Sequence, residues 1–217
     1  MSVRLAIFDC DGTLVDGQAA VCAAMDAAFA GCGLPRPDRH QVRRIVGLSL
    51  PQAIRILLPD ADDALRRDVD VTYRDAFRTA RESGELNEPL YAGIRELLDA
   101  LRTAGWTLGV ATGKAQRGLD HCLATHGLTG HFATLQTADY HPSKPHPSMI
   151  EQALADTLAA PADTVMIGDT QYDIAMAVNA GVRAIGVDWG YHTPTELIAA
   201  GATAIAHSPA HLLDLLQ

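Results

Sequence analysis

Asp9-Cys10-Asp11-Gly12-Thr13 places two carboxylates two residues apart, directly behind the apolar run Val3, Leu5, Ala6, Ile7, Phe8. On an extended chain, side chains at i and i+2 share a side, so Asp9 and Asp11 are expected to point into one space with Cys10 facing away. Carboxylates that close repel unless a cation or a shared proton compensates them. With a reference pKa of about 4, Asp9 is ionised at neutral pH and can attack an electrophile without a base. Asp11, beside that charge, is suited to carry a proton for a leaving group. A hard divalent cation such as Mg2+ would relieve the repulsion and shield an incoming anion. The same residues also suit a plain Asp-rich turn, with Gly12 supplying the bend.

Three later stretches carry comparable chemistry. Trp106 to Thr112 reads as a strand ending in Thr112-Gly113-Lys114, where a hydroxyl and free backbone N–H groups at a helix start can cradle an anion or merely cap the helix. Thr164 to Ile167 reads as a strand ending in Gly168-Asp169-Thr170-Gln171-Tyr172-Asp173. Asp169 sits at its tip, and Asp173 follows one helical turn later on the same face; capping alone would account for one of them. Between these strands, His141-Pro142-Ser143-Lys144-Pro145-His146-Pro147 forms a proline-stiffened loop that fixes Lys144; a lone lysine is usually a solvated charge, but one pinned here could pair with Asp9 and an anion, whereas His141 and His146 read as surface imidazoles.

The elements that must position these residues follow from periodicity. The first apolar run suits a strand buried on both faces of a parallel sheet. From residue 16 to 87 every element reads as helix: Ala19 to Ala30, a helix from the cap Asp38 to about Val46, one from Pro51 to Leu58, and a long charged helix with Leu65, Val69, Tyr73 and Phe77 on one stripe. Beyond Pro89, helices near 93–104, 115–126, 148 onward and 171–180 alternate with strands at 106–112, 132–135, 164–167 and 183–187; Ala202 to Ala206 and Pro209 to Leu216 close the chain. This alternation predicts an α/β fold, a doubly wound parallel sheet. The helical stretch interrupts it, which makes residues 16–87 an inserted all-helical cap domain and residues 1–15 with 88–217 the α/β core, joined by linkers near 15–17 and 86–90. In an open parallel sheet ligands bind beyond the carboxyl ends of the strands, so all four motifs share one mouth.

Composition narrows the partners. The 217 residues, 48% hydrophobic and 20% charged, can bury a sizeable core. A net charge of -9 gives no basic surface for nucleic acid, so any anion site must be local. Cys10, Cys22, Cys32 and Cys122 are scattered and read as reduced core residues. No apolar run is long enough for a membrane span and no leader pattern is present, so a soluble, cytoplasmic chain is expected.

Taken in order, Asp-x-Asp-Gly-Thr, Thr-Gly, Lys-Pro and Gly-Asp-x-x-x-Asp resemble the motifs of the haloacid dehalogenase-like superfamily, specifically its phosphatases with a helical cap inserted after the first motif. The resemblance covers the whole chain. It implies a Rossmann-like core and a Mg2+-dependent phosphatase in which Asp9 becomes an aspartyl phosphate and Asp11 protonates the leaving oxygen, then activates water. It further implies that Thr112 and Gly113 bind phosphoryl oxygens, that Lys144 balances charge between phosphate and Asp9, and that Mg2+ sits on Asp9, the Asp11 carbonyl and Asp169. Asp173, with Thr13, would support these ligands from behind or orient Lys144. Many relatives carry Ser-Asn at the second motif where this chain has Thr-Gly; the hydroxyl survives. The dehalogenases lack an acid at the position of Asp11, which disfavours that activity here.

Gly190-Tyr191-His192 and Ile45-Val46-Gly47-Leu48-Ser49 are similar to segments of phosphoglycolate phosphatases and their near relatives, implying a small phosphorylated metabolite as substrate. Cap residues choose the substrate in this superfamily, and Arg43, Arg44 and Ser49 are the candidates. A phosphosugar mutase of the β-phosphoglucomutase type uses the same Asp pair and is the alternative. Receiver-type phospho-accepting signalling modules share the acids, Thr and Lys but are shorter and lack the insert. Monomer and homodimer are both compatible with the sequence.

Overall fold

The computed structural model describes residues 2–217. Its centre is β1 (Leu5–Phe8), every residue of which is buried. Six parallel strands lie in the order β3-β2-β1-β4-β5-β6, where β2 is Thr107–Thr112, β3 Thr134–Thr137, β4 Thr164–Gly168, β5 Arg183–Val187 and β6 Ala204–Ala206. In register, Phe8 pairs with Val110 on one side and Ile167 on the other. The chain winds from β1 out to β3, then crosses back to β4, so strand order reverses between β1 and β4, the place where such sheets open a crevice.

Strand alternation sorts the core. Ala6 and Phe8 face one layer, with Leu98 and Leu101 of α5 (Ile94–Thr103), Leu119 of α6 (Gln116–Thr125) and Leu212 of α10 (Pro209–Leu216). Leu5 and Ile7 face the other, with Met149 of α7 (Ser148–Thr157), Ile174 of α8 (Gln171–Asn179) and Leu197 of α9 (Pro194–Ala199). Because both faces are covered, the strands read as apolar runs rather than as alternating ones.

Between β1 and β2, α1 (Gln18–Gly31), α2 (Arg39–Arg44), α3 (Leu50–Leu57) and α4 (Asp63–Glu82) form the inserted helical cap. They pack around their own core of Val21, Met25, Phe29, Ile54 and the fully buried Val69, with Leu65, Tyr73 and Phe77 on the same stripe of α4. The chain leaves and re-enters the sheet side by side: Asp16 N–H donates to the Pro89 carbonyl at 2.8 Å, and Val15 bridges Leu90.

Several boundaries depart from expectation. The strand expected over 132–135 is β3 at Thr134–Thr137, because Phe132 turns into the core and pairing with β2 starts at Gly109 opposite Thr134. The helix expected from Asp38 to about Val46 is the shorter α2; Asp38 caps it by accepting from His40 N–H, but Ile45 and Val46 bond three residues back and Gly47 (φ 95°) ends the run. Helix α9 was not anticipated, although Thr193 and Glu196 form its capping box with Pro194 in its first turn. Among the described residues no helix is long and apolar enough to cross a membrane, and all four cysteines are free thiols.

Candidate active site

Asp9 follows the last residue of β1, and its N–H continues the pairing by donating to the Ile167 carbonyl at 2.9 Å. Its carboxylate is fully buried at the reversal between β1 and β4. Lys144 Nζ lies 2.9 Å from Asp9 Oδ1 and 2.5 Å from Asp173 Oδ1. The approach to Asp9 has ion-pair distance without hydrogen-bond geometry, so neither Asp9 oxygen accepts a hydrogen bond. Asp173 is anchored in turn, its Oδ2 accepting from Thr170 N–H at 3.0 Å and Thr170 Oγ1 at 2.7 Å in the capping box that starts α8. One residue earlier, Asp169 accepts from Thr13 Oγ1 and from Tyr191 N–H, both at 2.9 Å.

Burial dominates the electrostatics. It pushes the Asp9 carboxyl up to about 7 against the pull of Lys144, and it drives Asp169 well above the carboxylate range with the charges of Asp173 and Asp9 adding to the effect. Desolvation opposes charge on Lys144, but Asp173 and Asp9 outweigh it and hold the ammonium above its ordinary range. Three buried carboxylates thus share a single ammonium here, an excess of negative charge in a low-dielectric place.

Asp9, Asp169 and Asp173 each offer an oxygen within 4.8 Å of the others. An all-oxygen, buried, net-negative set with unbonded Asp9 oxygens fits a hard divalent cation such as Mg2+. Asp173 spends its two oxygens on Lys144 and Thr170, and Asp169 spends its two on Thr13 and Tyr191, so the oxygens left without a hydrogen bond are those of Asp9. The Asp11 carboxylate is not in this group.

Beyond Asp9 the chain turns, with Leu14 and Val15 N–H donating to the Cys10 carbonyl and Gly12 at φ 88°. Asp9 and Asp11 have separate lysines, Asp11 meeting Lys114 Nζ at 2.9 and 3.1 Å. Cys10 does face the opposite way, buried 3.9 Å from the Cys122 sulfur.

Asp11 lies on the wall of a cavity of about 570 Å³ between cap and core, together with Thr112, Gly113, Ser49, Ser143 and Lys114. The Thr112 hydroxyl accepts from Lys114 N–H at 3.2 Å. Gly113 is pressed so closely by the cap loop that a Cβ there would sit 2.5 Å from the Gly47 and Leu48 carbonyl oxygens. That loop is clasped to the core by Ser49 N–H donating to Ser143 Oγ and by Arg44 holding Glu196 with two hydrogen bonds. Of the three cap candidates, only Ser49 lines the cavity.

Sequence reasoning brought Asp9, Asp11, Thr13, Thr112, Gly113, Lys144, Asp169 and Asp173 to one end of the sheet, where they lie. It missed Lys114, noted only as part of a helix start, and Glu88, which falls in the linker near 86–90. It also missed the Tyr191 N–H on Asp169. Lys114 directly after Thr-Gly was the available signal; Glu88 had none.

An acid-bearing crevice at the reversal of a parallel sheet, roofed by a helical insert, marks a capped α/β protein. The family model described as haloacid dehalogenase-like hydrolase matches residues 6–187, and the chain belongs to that family. It is 38% identical to the probable phosphatase IndB of Dickeya dadantii over 90% of this chain and 86% of the relative. It is 30% identical to a phosphoglycolate phosphatase of Vibrio vulnificus over 99% of this chain and 96% of that one. Among solved structures, a haloacid dehalogenase-like hydrolase from Streptococcus pneumoniae superposes with a TM-score of 0.86 at 25% identity, covering 99% of each chain.

Proposed function

We propose that the protein is a Mg2+-dependent phosphatase of small phosphomonoesters, phosphoglycolate-like in size, working through an aspartyl phosphate on Asp9. The observation that carries this reading is the Asp9 carboxylate, buried beside Lys144 with neither oxygen taken by a hydrogen bond. An attacking oxygen must be free of donors and still stay ionised, and Lys144 serves the second need.

In the first step an Asp9 oxygen attacks phosphorus in line, the bond to the leaving oxygen breaks, and the Asp11 carboxyl gives that oxygen its proton. In the second, Asp11, now a carboxylate, takes a proton from water as the water oxygen attacks phosphorus and the bond to Asp9 breaks. Thr112 and the N–H groups after it are suited to hold the phosphoryl oxygens, and Lys144 keeps Asp9 and the phosphoryl group from repelling each other. Mg2+, when bound on Asp9, Asp169 and the Asp11 carbonyl, supplies charge neutralisation for the approaching dianion. Thr13 and Asp173 then act from behind, the first on Asp169 and the second on Lys144.

The cap in this reading comprises residues 16–87 and hinges at the two strand-side linkers, which the Asp16–Pro89 and Val15–Leu90 pairings hold together. Closure shuts bulk water away from the phosphoenzyme while a single water is admitted. The similarity to phosphoglycolate phosphatase supports a short carboxylate-bearing ester as substrate. The deciding experiment is turnover of p-nitrophenyl phosphate with and without Mg2+: the parent should hydrolyse it only with the metal, and Asp9→Asn should lose turnover while still melting cooperatively. Retained activity in Asp9→Asn would refute the assignment.

A further inference from the structure

Among the described residues, Lys114 is the one buried cation at the site that the scheme above does not use. Its Nζ lies 2.9 and 3.1 Å from the two oxygens of Asp11 and 2.8 Å from Glu88 Oε1. An ammonium has three protons, and these three contacts employ all of them, so none is left for a substrate anion. The side chains of Lys114, Asp11 and Glu88 are 10%, 11% and 5% exposed, and the Phe77 ring of the cap lies over the ammonium, 5.8 Å from Nζ to its centroid. On the other flank, a Cβ at Gly17 would stand 2.6 Å from Asp11 Oδ1. The Asp11 carboxyl is therefore gripped from one side and given just enough room on the other. Glu88 is itself tied down, its carbonyl 2.8 Å from His126 Nε2 at the end of α6.

We propose that Lys114, held by Glu88, is a positioning residue that aims the Asp11 carboxyl at the leaving oxygen. The proposal rests on the reading of Asp11 as the proton donor. Glu88 sits in the linker through which the chain returns from the cap, and Phe77 belongs to the cap itself, so the grip is assembled from core, linker and cap together. Help from a proton donor matters in proportion to the basicity of the leaving oxygen. A misaimed Asp11 should thus penalise a basic phenolate far more than a weakly basic one, whereas loss of phosphate binding or of folded protein would penalise both alike.

The test measures kcat/KM on p-nitrophenyl phosphate and on phenyl phosphate with Mg2+ present, for the parent, Lys114→Met, Lys114→Arg, Glu88→Gln and Gly17→Ala. In Lys114→Met the loss on phenyl phosphate should exceed that on the nitrophenyl ester by about tenfold or more. Lys114→Arg should recover part of the difference, and Gly17→Ala, which displaces the carboxyl without altering any charge, should skew the ratio the same way. If Lys114→Met does not fold, Glu88→Gln and Gly17→Ala decide. An unchanged ratio between the two esters in the folded variants overturns the proposal and leaves the role of Asp9 standing. Turnover surviving in Asp9→Asn removes the phosphatase reading itself.

Discussion

The strand-end site and the cap treat charge in opposite ways. At the strand ends Asp9, Asp169, Asp173 and Lys144 are all buried and their contacts run between distant parts of the chain. On α4 of the cap the charges pair with their own helix, Arg74 with Asp70 at 2.5 Å and Arg78 with Asp75 at 3.0 Å, their side chains 19% to 51% exposed. The first arrangement is costly unless every charge has a partner; the second is worth a few tenths of a kcal/mol per pair. The core thus holds the buried charges, while the α4 pairs contribute Arg74, Asp75 and Arg78 to the cavity wall from the cap side.

The largest expected effect falls on the core side. Asp9→Asn should lower kcat on p-nitrophenyl phosphate on the order of ten-thousand-fold or more, since a group acting as nucleophile has no substitute. Its melting temperature should not fall, because Lys144 keeps Asp173 as its partner while one of three crowded buried carboxylates is removed. A lower melting temperature would mean that Asp9 holds the fold together as well as reacting.

Lys144→Met should cost about 3–5 kcal/mol in denaturant unfolding, because it leaves three buried carboxylates without a counter-charge. Mg2+ should restore part of that loss. Stability near that of the parent would show that the carboxylates simply take up protons.

Protonation and metal binding should also oppose each other. Burial raises Asp9 from its ordinary 3.8 to about 7, so the folded protein holds that proton more tightly than the unfolded chain does. The stabilisation from that proton is full at low pH and is lost as pH rises through about 7. The upward shift in melting temperature on adding Mg2+ should therefore be larger at pH 8 than at pH 5; equal shifts would place the ion elsewhere.

The smallest effect belongs to the cap clasp. Arg44→Ala removes a half-exposed pair with Glu196 and should change stability by less than about 1 kcal/mol. If the clasp limits cap opening, KM and kcat should shift together by a few-fold. A large loss of kcat alone would place Arg44 in the chemistry and erase the contrast between the two regions.

Most of the scaffold was legible because it rests on local patterns. A run of apolar β-formers ending in acid, a Thr-Gly and a Gly-Asp-Thr after further apolar runs, and helical stripes such as Leu65, Val69, Tyr73 and Phe77 each carry their own period. Errors arose where a local cue competed with a distant contact. Phe132 has the composition of a strand residue but lies outside the ladder, packed into the core. Helix α9 carries its own local signal in Thr193, Pro194 and Glu196, but at six residues it is too short to show a helical period.

By itself the sequence determined which carboxylates stand at strand ends, that a helical insert follows the first of them, and that Lys144 is held in a stiff loop, because spacing and backbone restriction act within a few residues. Only the tertiary structure decided how those charges are shared. It gave Asp9 and Asp11 separate lysines, brought Glu88 from the return linker onto Lys114, and turned the Tyr191 N–H onto Asp169. Such pairings join residues far apart in the chain, and burial makes each of them strong; neither distance nor burial is written in any short stretch of residues.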